Sequence, residues 1–599
     1  MNLLKRIVTI TLTGSLIFMT ASCTSKTKPA DSTLPTNAGA GETGLSSAAG
    51  NGTANSEELS ENILVNQVGY KIDDKKIAII KGFDKKFKVI ETATGKVVLS
   101  KDTTGKVNDE SSGDTVSYAD FSELKTVGSY YISVEGLGKS YDFKIGDGNL
   151  FSKVNEAMVK ALYYQRCGMA LDSKYAGEYA HASCHTGRAR LYGNEETEID
   201  VSGGWHDAGD YGRYVVPAAV TAADLMLAYE FYPQSFENKY NIPESTNNIP
   251  DILDEVKYGM TWMLKMQDKQ TGGVYHKVTS RNFPDLTAMP DTDVDELLVM
   301  PVSTTATADF AAVTAMASRI FKDFDSAFSQ QCLIASLKAW NWLETNKDFV
   351  QYKNPQDVTS GEYGDSSGKD EKAWAAAELL RATGDKKYND YFKANYGTEG
   401  FGLGWQSVSG FAAISYLFSD QSTIDSQKAE EIKKAWLEKA DMFVSTAEKD
   451  GYLLAMHKME YTWGSNMNVA NHAIHLLIAD KLSNNEKYTE MAANCVHYFL
   501  GRNTMNQSYI TGYGSKKVMQ PHHRPSVGDG VAEPVPGLLV GGPDSALEDD
   551  VSRSKLSGKA PAQCYIDDMN SYSSNEVATY WNSAAIFVFS FMSSRQMQG

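Results

Sequence analysis

The period of the hydrophobic pattern changes once along this chain, close to Gly148, and the two parts it separates cannot share one architecture. From Asn62 to about Ile145, short β-rich runs (ILVNQVGY, KIAIIKG, KFKVIET, KVVLS, SYYISVEG, SYDFKI) are separated by turns of Gly, Asp and Lys. Runs of that length and spacing predict a small all-β sandwich. After Gly148 the apolar residues recur at helical spacing in long windows, among them TATADFAAVTAMASRIFKDF, DEKAWAAAELLRATGD, KAEEIKKAWLEKADMFV and NVANHAIHLLIADKL. The C-terminal part, about 450 residues, is therefore expected to be largely helical. Its connections are long and rich in Gly, Asp, His, Tyr and Trp, and long loops on a rigid scaffold are where binding and catalysis concentrate.

Two short regions precede the sandwich. Residues 1–23 carry Lys5 and Arg6, an apolar run from Ile7 to Met19 and a small-residue ending, Ala21-Ser22-Cys23, which together read as an export signal. The ending resembles the bacterial lipobox, in which the Cys becomes the lipidated first residue, although Thr20 stands where an aliphatic residue is usual; an ordinary secretory cleavage nearby is the alternative. Residues 24–58 are Ser, Thr, Gly, Ala and Asn with almost no large apolar groups, the composition of a disordered tether. The expected order is signal (1–23), linker (24–58), sandwich (59–147) and helical domain (148–599). No later stretch has the length of a membrane span, so membrane attachment is expected only through Cys23, on an exported protein that is surface-bound or secreted.

Charge narrows the partners. Against 75 Asp and Glu stand 57 Lys and Arg, a net charge of -18 that repels phosphate backbones and anionic lipid surfaces. Nucleic acid is excluded as a partner on that ground, and an uncharged substrate is the natural complement. Aromatics at 11%, with 32 Tyr and 9 Trp, suit the apolar faces of sugar rings, although such residues are also ordinary core.

Three segments concentrate chemistry. GGWHDAGDYGRYVVP sets Asp207 and Asp210 three apart around Ala-Gly, and two close carboxylates can orient one water, as a hydrolytic base requires; a calcium loop or solvated turn reads the same way. In YIDDMNSYSSNEVATYWNS, Glu576 precedes an apolar helical run. Desolvation there would raise its pKa, as a general acid needs, whereas a helix N-terminus would lower it. Between them, SYITGYGSKKVMQPHHR places His522, His523 and Arg524 in a polar loop without periodicity, suited to holding hydroxyls or a carboxylate.

Taken together these blocks resemble glycoside hydrolase family 9, in the bacterial cellulase arrangement with an N-terminal immunoglobulin-like domain, whose start ILVNQVGY also resembles. The resemblance runs from about residue 62 to the C-terminus. It implies an immunoglobulin-like sandwich followed by an all-α (α/α)6 barrel, and hydrolysis of β-1,4-glucosidic bonds of cellulose or related β-glucans with inversion. It implies Asp210 as general base, Asp207 as its partner on the water, Glu576 as general acid, His522 and Arg524 as contacts to sugar hydroxyls, and Asp567 as an orienting residue. Trp463, in a WGSN block resembling the family's cleft lining, and Tyr572 are further candidate sugar contacts; Trp463 as core is the alternative. Endo action is the leading expectation. Exo action as a cellodextrinase, cellobiohydrolase or glucosaminidase is the enzyme alternative, and a non-catalytic surface glycan-binding lipoprotein is the alternative of another class. No dockerin-like repeat is visible, no organic cofactor is expected, and the chain is expected to be a monomer.

Metal candidates follow from the cysteines. Cys167, Cys184, His185 and His206 supply two thiolates and two imidazoles, a closed tetrahedral set whose spacing resembles the family's structural zinc site. A Cys167–Cys184 disulfide, or a catalytic zinc lacking one ligand, are the competing readings. SGEYGDSSGKDEKAW, with Glu362, Asp365, Asp370 and Glu371, resembles a family calcium loop and equally suits a solvated acidic helix start.

Overall fold

The computed structural model describes residues 58–147, 149–398 and 400–595. The leader, Cys23 and all but the last residue of the expected tether lie outside the described residues.

The first part is a β-sandwich. One sheet runs in the order Ile63–Leu64, Ile77–Lys81, Thr115–Asp120, Thr104–Asn108. The other runs Gly69–Lys71, Phe143–Gly146, Gly128–Val134, Lys86–Glu91, Val97–Asp102, with Gly138–Lys139 paired to Gly128–Val134. Alternation builds it: in Lys86–Glu91, Phe87 and Val89 point inward while Lys86 and Lys88 face water. Ile63, Val65, Ala78, Ile80, Phe121, Ile132 and Phe143 complete the sealed interior.

From Asn149 onward, twelve helices of nine residues or more follow among the described residues. They are α1 (Asn149–Tyr164), α2 (Val215–Phe231), α3 (Asp251–Lys265), α4 (Thr304–Ile320), α5 (Ser326–Thr345) and α6 (Lys369–Thr383). The second six are α7 (Lys386–Asn395), α8 (Ser409–Leu417), α9 (Ser426–Ala447), α10 (Ser465–Ser483), α11 (Glu486–Phe499) and α12 (Thr579–Ser594). The even-numbered helices are apolar around most of their circumference and form an inner ring. There α12 packs on α2, α2 on α4, α4 on α6, α6 on α8, and α10 on α12. Alanine-rich faces such as Ala218-Ala219 and Ala375-Ala376-Ala377 let these axes approach. The odd-numbered helices keep one buried and one wet face, as in α9, where Ile432, Trp436, Ala440 and Val444 turn inward. Six inner and six outer helices make an (α/α)6 barrel. Among the described residues no helix is long and apolar enough to cross a membrane.

The sandwich docks on the barrel through its opening segment. Gln67 receives the Lys516 N–H (2.8 Å) and donates through Nε2 to the Asn506 carbonyl (2.9 Å). Gly501, at φ 116°, is required here, because a Cβ would sit 2.5 Å from Gln67 Nε2. Lys71 donates to the Met592 and Arg595 carbonyls at the end of α12, both at 2.5 Å. The sandwich thereby holds the loop that continues to His522.

Candidate active site

The 203–212 segment forms an irregular buried turn ahead of α2. Asp207 is tied by its main chain, its N–H donating to the Gly212 carbonyl and its carbonyl receiving the Thr579 N–H. On its side chain, Oδ2 accepts the Tyr363 hydroxyl at 2.5 Å. Burial, then the charge of Asp210, push the Asp207 pKa well above the usual carboxylate range, against the pull of the Tyr363 hydrogen bond. Asp210 accepts the Tyr214 hydroxyl (2.9 Å) and the Gly212 N–H (3.0 Å), both on Oδ2. Between the two carboxylates, Gly209 meets the His522 carbonyl so closely that a Cβ there would lie 2.2 Å from that oxygen.

That contact joins the turn to the other two segments. His522 and Glu576 sit side by side as a parallel bridge pair, and the His522 N–H donates to the Asn575 carbonyl. The Glu576 pKa is raised well above its ordinary value by burial first, then by the charges of Asp210 and Asp207; Arg524 and the Gly209 N–H act in the opposite direction. Of the two readings of this residue, desolvation and not the helix terminus sets the sign. The three carboxyl groups therefore feel one another across a single site.

Around them, His522 Nδ1 lies 2.7 Å from the Met569 carbonyl, which can only accept, so Nδ1 carries the proton and Nε2 is left as an acceptor. Burial lowers the His522 pKa and keeps the ring neutral. Asp567 accepts from the N–H groups of Met519 and Gln520 and from Asn575 Nδ2, and so clamps the His522 loop to the residue before Glu576. Arg524 is buried, with Nη1 donating to the Gly209 carbonyl inside the Asp207–Asp210 turn (2.7 Å) and Nε to the Pro284 carbonyl (3.0 Å), and so ties that turn to the loop at Pro284. Trp463 is 43% exposed and stands beside Tyr572, ring centroids 5.2 Å apart, with His522 a further 6.1 Å on, an open aromatic row.

Tyr214 and Tyr363 were not among the candidates read from the sequence. Tyr214 lies inside the quoted GGWHDAGDYGRYVVP run, four residues after Asp210. Tyr363 comes from the acidic loop 156 residues beyond Asp207, and its signal is structural: a positive φ of 47° with its ring 4.8 Å from Tyr214.

Two groups of side chains suit metals. Among the described residues, the one set of three or more His, Cys, Asp or Glu ligand atoms gathered within 4.8 Å of one another is Cys167, Cys184, His185 and His206. All the described cysteines are free. Nδ1 of His185 is buried without a partner among the described residues, while its Nε2 lies 3.2 Å from Asp293 Oδ2, the carboxylate support usual behind a ligating imidazole. The donor chemistry fits a closed four-ligand site. In the second group, Asp309 is fully buried and neither carboxylate oxygen has a partner among the described residues, nor does the buried Glu371 Oε2. Burial first, then the charges of Asp370 and Asp365, raise the Asp309 pKa well above its ordinary value. Glu362 is not part of this group: Lys353 Nζ and the Asn354 N–H, each at 2.9 Å, occupy its carboxylate. Asp309, on α4, was invisible to a reading of the 360–374 loop alone.

The chain also matches known families and proteins. A family model described as "Glycosyl hydrolase family 9" matches residues 151–589, and one described as "Cellulase N-terminal ig-like domain" matches 58–139. The chain is 36% identical over 549 residues to a cellodextrinase of Butyrivibrio fibrisolvens, covering 88% of this chain and 99% of that one. It is 35% identical over 539 residues to endoglucanase D of Acetivibrio thermocellus, covering 88% and 83%. A solved structure of a single mutant of the thermostable endoglucanase from Alicyclobacillus acidocaldarius superposes with a TM-score of 0.85 at 35% identity, covering 89% and 99%.

Proposed function

The chain belongs to glycosyl hydrolase family 9, and from that membership we propose that it is an endo-acting β-1,4-glucanase that hydrolyses cellulose or related β-glucans with inversion. One observation carries the reading: Asp207, Asp210 and Glu576, from opposite ends of the helical domain, share one electrostatic site in which Glu576 is driven towards its protonated form. A carboxyl group kept protonated near neutrality can donate to the leaving glycosidic oxygen. Asp210 has its two protein hydrogen bonds on Oδ2, which leaves Oδ1 to take a proton from water; Asp207 is held by Tyr363 as the second acceptor for that water. A single displacement needs acid and base on opposite sides of the bond with room for water between, and side chains from separate segments are free to be placed that way. Neutral His522 offers Nε2 to a sugar hydroxyl, and the Trp463–Tyr572 row offers stacking faces.

Product analysis on carboxymethyl-cellulose and cellohexaose tests this. A steep fall in viscosity with few new reducing ends is the expected result. Slow viscosity loss with a single small product would replace endo by exo action, and silence on both would remove the glucanase reading.

We further propose that Cys167, Cys184, His185 and His206 hold a structural zinc and that Asp309, Asp370 and Glu371 hold calcium. The first set has no place left for a water ligand, and His206 precedes Asp207, so its bond would fix the start of the catalytic turn. Metal analysis is expected to find one zinc per chain, and Cys184→Ser to lose zinc, fold and activity together. Activity that rose with added zinc while folding stayed constant would make the metal catalytic instead.

A further inference from the structure

One buried cation stands behind the carboxylates with no part yet in their chemistry. Lys277 opens the short strand Lys277–Thr279, which runs antiparallel to Arg213–Tyr214 so that Lys277 pairs with Tyr214. The side chain is fully buried, and its Nζ lies 5.4 Å from the ring centroids of both Tyr214 and Tyr352. Nζ donates to the Gly361 carbonyl (2.6 Å), to Asn354 Oδ1 (2.8 Å) and to Ser360 Oγ (3.0 Å). Three acceptors match the three N–H groups of an ammonium, whereas an uncharged amine has only two.

These bonds fall on the loop that carries Tyr363. Gly361 comes two residues before it, and the next carbonyl, that of Glu362, lies 2.9 Å from Nε2 of His276, the residue before Lys277. Two consecutive side chains thus hold two consecutive carbonyls, and Tyr363 follows at its positive φ of 47° with its hydroxyl on Asp207. Tyr214, paired with Lys277 across the strands, has its hydroxyl on Asp210. Lys277 therefore joins the supports of both aspartates, through its backbone the strand of Tyr214 and through its ammonium the loop of Tyr363.

An ion pair does not account for this buried charge. Among the described residues no carboxylate is paired with Nζ, and the negative charges it feels are those of Asp210 first and Glu362 second. Glu362 is itself held by Lys353 and the Asn354 N–H. The other titratable groups packed on Lys277 are uncharged: burial pushes the Tyr214 and Tyr352 phenols up and His276 down to about 3. Burial also brings Lys277 down to about 7. An ammonium desolvated without a partner is unfavourable for stability, and an apolar side chain of its size would serve the fold as well. We propose that Lys277 is a positioning residue of the hydrolysis, whose ammonium sets the hydroxyls of Tyr363 and Tyr214 on the two aspartates and places a positive charge where Asp210 feels it. The inference rests on the glucanase reading and adds to it one protonation on which the water-activating side of the site depends.

The test follows kcat/KM on cellohexaose between about pH 5 and pH 9 for wild type, Lys277→Met and Lys277→Arg. Methionine keeps the length of the side chain and removes its charge and donors; arginine keeps a charge at every pH. The ratio of wild type to Lys277→Met is expected to be about tenfold near pH 6, the loss of a charged donor, and to be carried by kcat. It is then expected to fall towards one near pH 9, because wild type gives up the same proton through about 7 while the titration of Glu576 is common to both enzymes and cancels. If the methionine variant does not fold, Lys277→Arg carries the test with the sign reversed, its ratio to wild type rising about tenfold over the same interval. A ratio that does not change with pH, in a variant that melts as wild type does, makes Lys277 a filler of space and overturns the proposal. Wild type that leaves cellohexaose uncut at every pH overturns the glucanase reading, and this one with it.

Discussion

Two groups of buried carboxylates sit on this barrel, and the roles proposed for them are opposite. Asp207, Asp210 and Glu576 are drawn together by loops, and two of the three have neutral hydroxyls on their oxygens: Tyr363 on Asp207 and Tyr214 on Asp210. Asp309, Asp370 and Glu371 gather where α4 meets the start of α6, and Asp309 has no donor among the described residues. In both, burial and mutual repulsion push carboxyl pKa values up. Raised proton affinity is therefore not what marks catalysis. What differs is how the charge is answered: Asp207 and Asp210 each take a tyrosine hydroxyl, whereas Asp370 takes only the Val408 N–H (3.0 Å) and Asp309 no donor among the described residues. The loop from Gly361 to Gly368 links the two, since it carries Tyr363 at one end and leads into Asp370 and Glu371 at the other.

The largest expected effect breaks the catalytic group. Glu576→Gln keeps shape and removes the proton donor, so kcat on cellohexaose is expected to fall by about a thousandfold or more, within the range of general-acid contributions. Cellohexaose affinity by titration calorimetry should stay within a few-fold of wild type. Because Glu576 acts protonated and its pKa is raised, activity should persist above the ordinary carboxyl range and fall on the alkaline side as it ionises. Undiminished turnover in the Gln variant would place the acid elsewhere and dissolve the contrast between the two groups.

Cation removal acts on the second group and is expected to be smaller. A carboxyl whose pKa is raised on folding binds its proton more tightly in the native state, so its contribution to stability falls as pH climbs from the ordinary carboxyl range through the raised value. Calcium, if bound there as proposed, would answer the ionised form. Its stabilisation, about 2.7 kcal/mol at a hundredfold excess over Kd, should thus raise Tm by a few degrees at pH 7 and by less at pH 5. Asp309→Asn should remove most of that increment. Equal calcium increments at both pH values, or an increment that survives in the Asn variant, would show that the ion binds elsewhere.

The two groups were also unequally legible. Periodicity carried the sandwich and the helical domain, because a two-residue or 3.6-residue repeat is written in each segment by itself. The carboxylates proposed to be catalytic were readable for a similar reason: Asp207 and Asp210 share one short turn, and Glu576 announces itself as a charge against an apolar helix. Asp309 looked like one polar residue in an alanine-rich helix, and its meaning depends on Asp370, brought beside it only by the packing of α4 on α6. Glu362 misled in the other direction, since it neighbours carboxylates in sequence while its side chain is spent on Lys353.

The smallest expected effect tests whether the two groups communicate. Tyr363→Phe deletes the hydroxyl on Asp207 without opening the site, since the ring still packs against Tyr214 and Trp405. That hydrogen bond holds the Asp207 pKa down, so its loss should raise it further, and the acid limb of the kcat/KM profile should move to higher pH. At a fixed pH near the optimum, kcat should fall about tenfold, the low end for a hydrogen bond to a charged group. Calcium depletion of the wild type should move the same limb in the same direction by less, because it slackens the loop that carries Tyr363 without removing the hydroxyl. If depletion lowers Tm and leaves the limb where it was, the second group serves stability alone. If Tyr363→Phe also leaves the limb in place, Asp207 does not share the activating water, and Asp210 is the base without help.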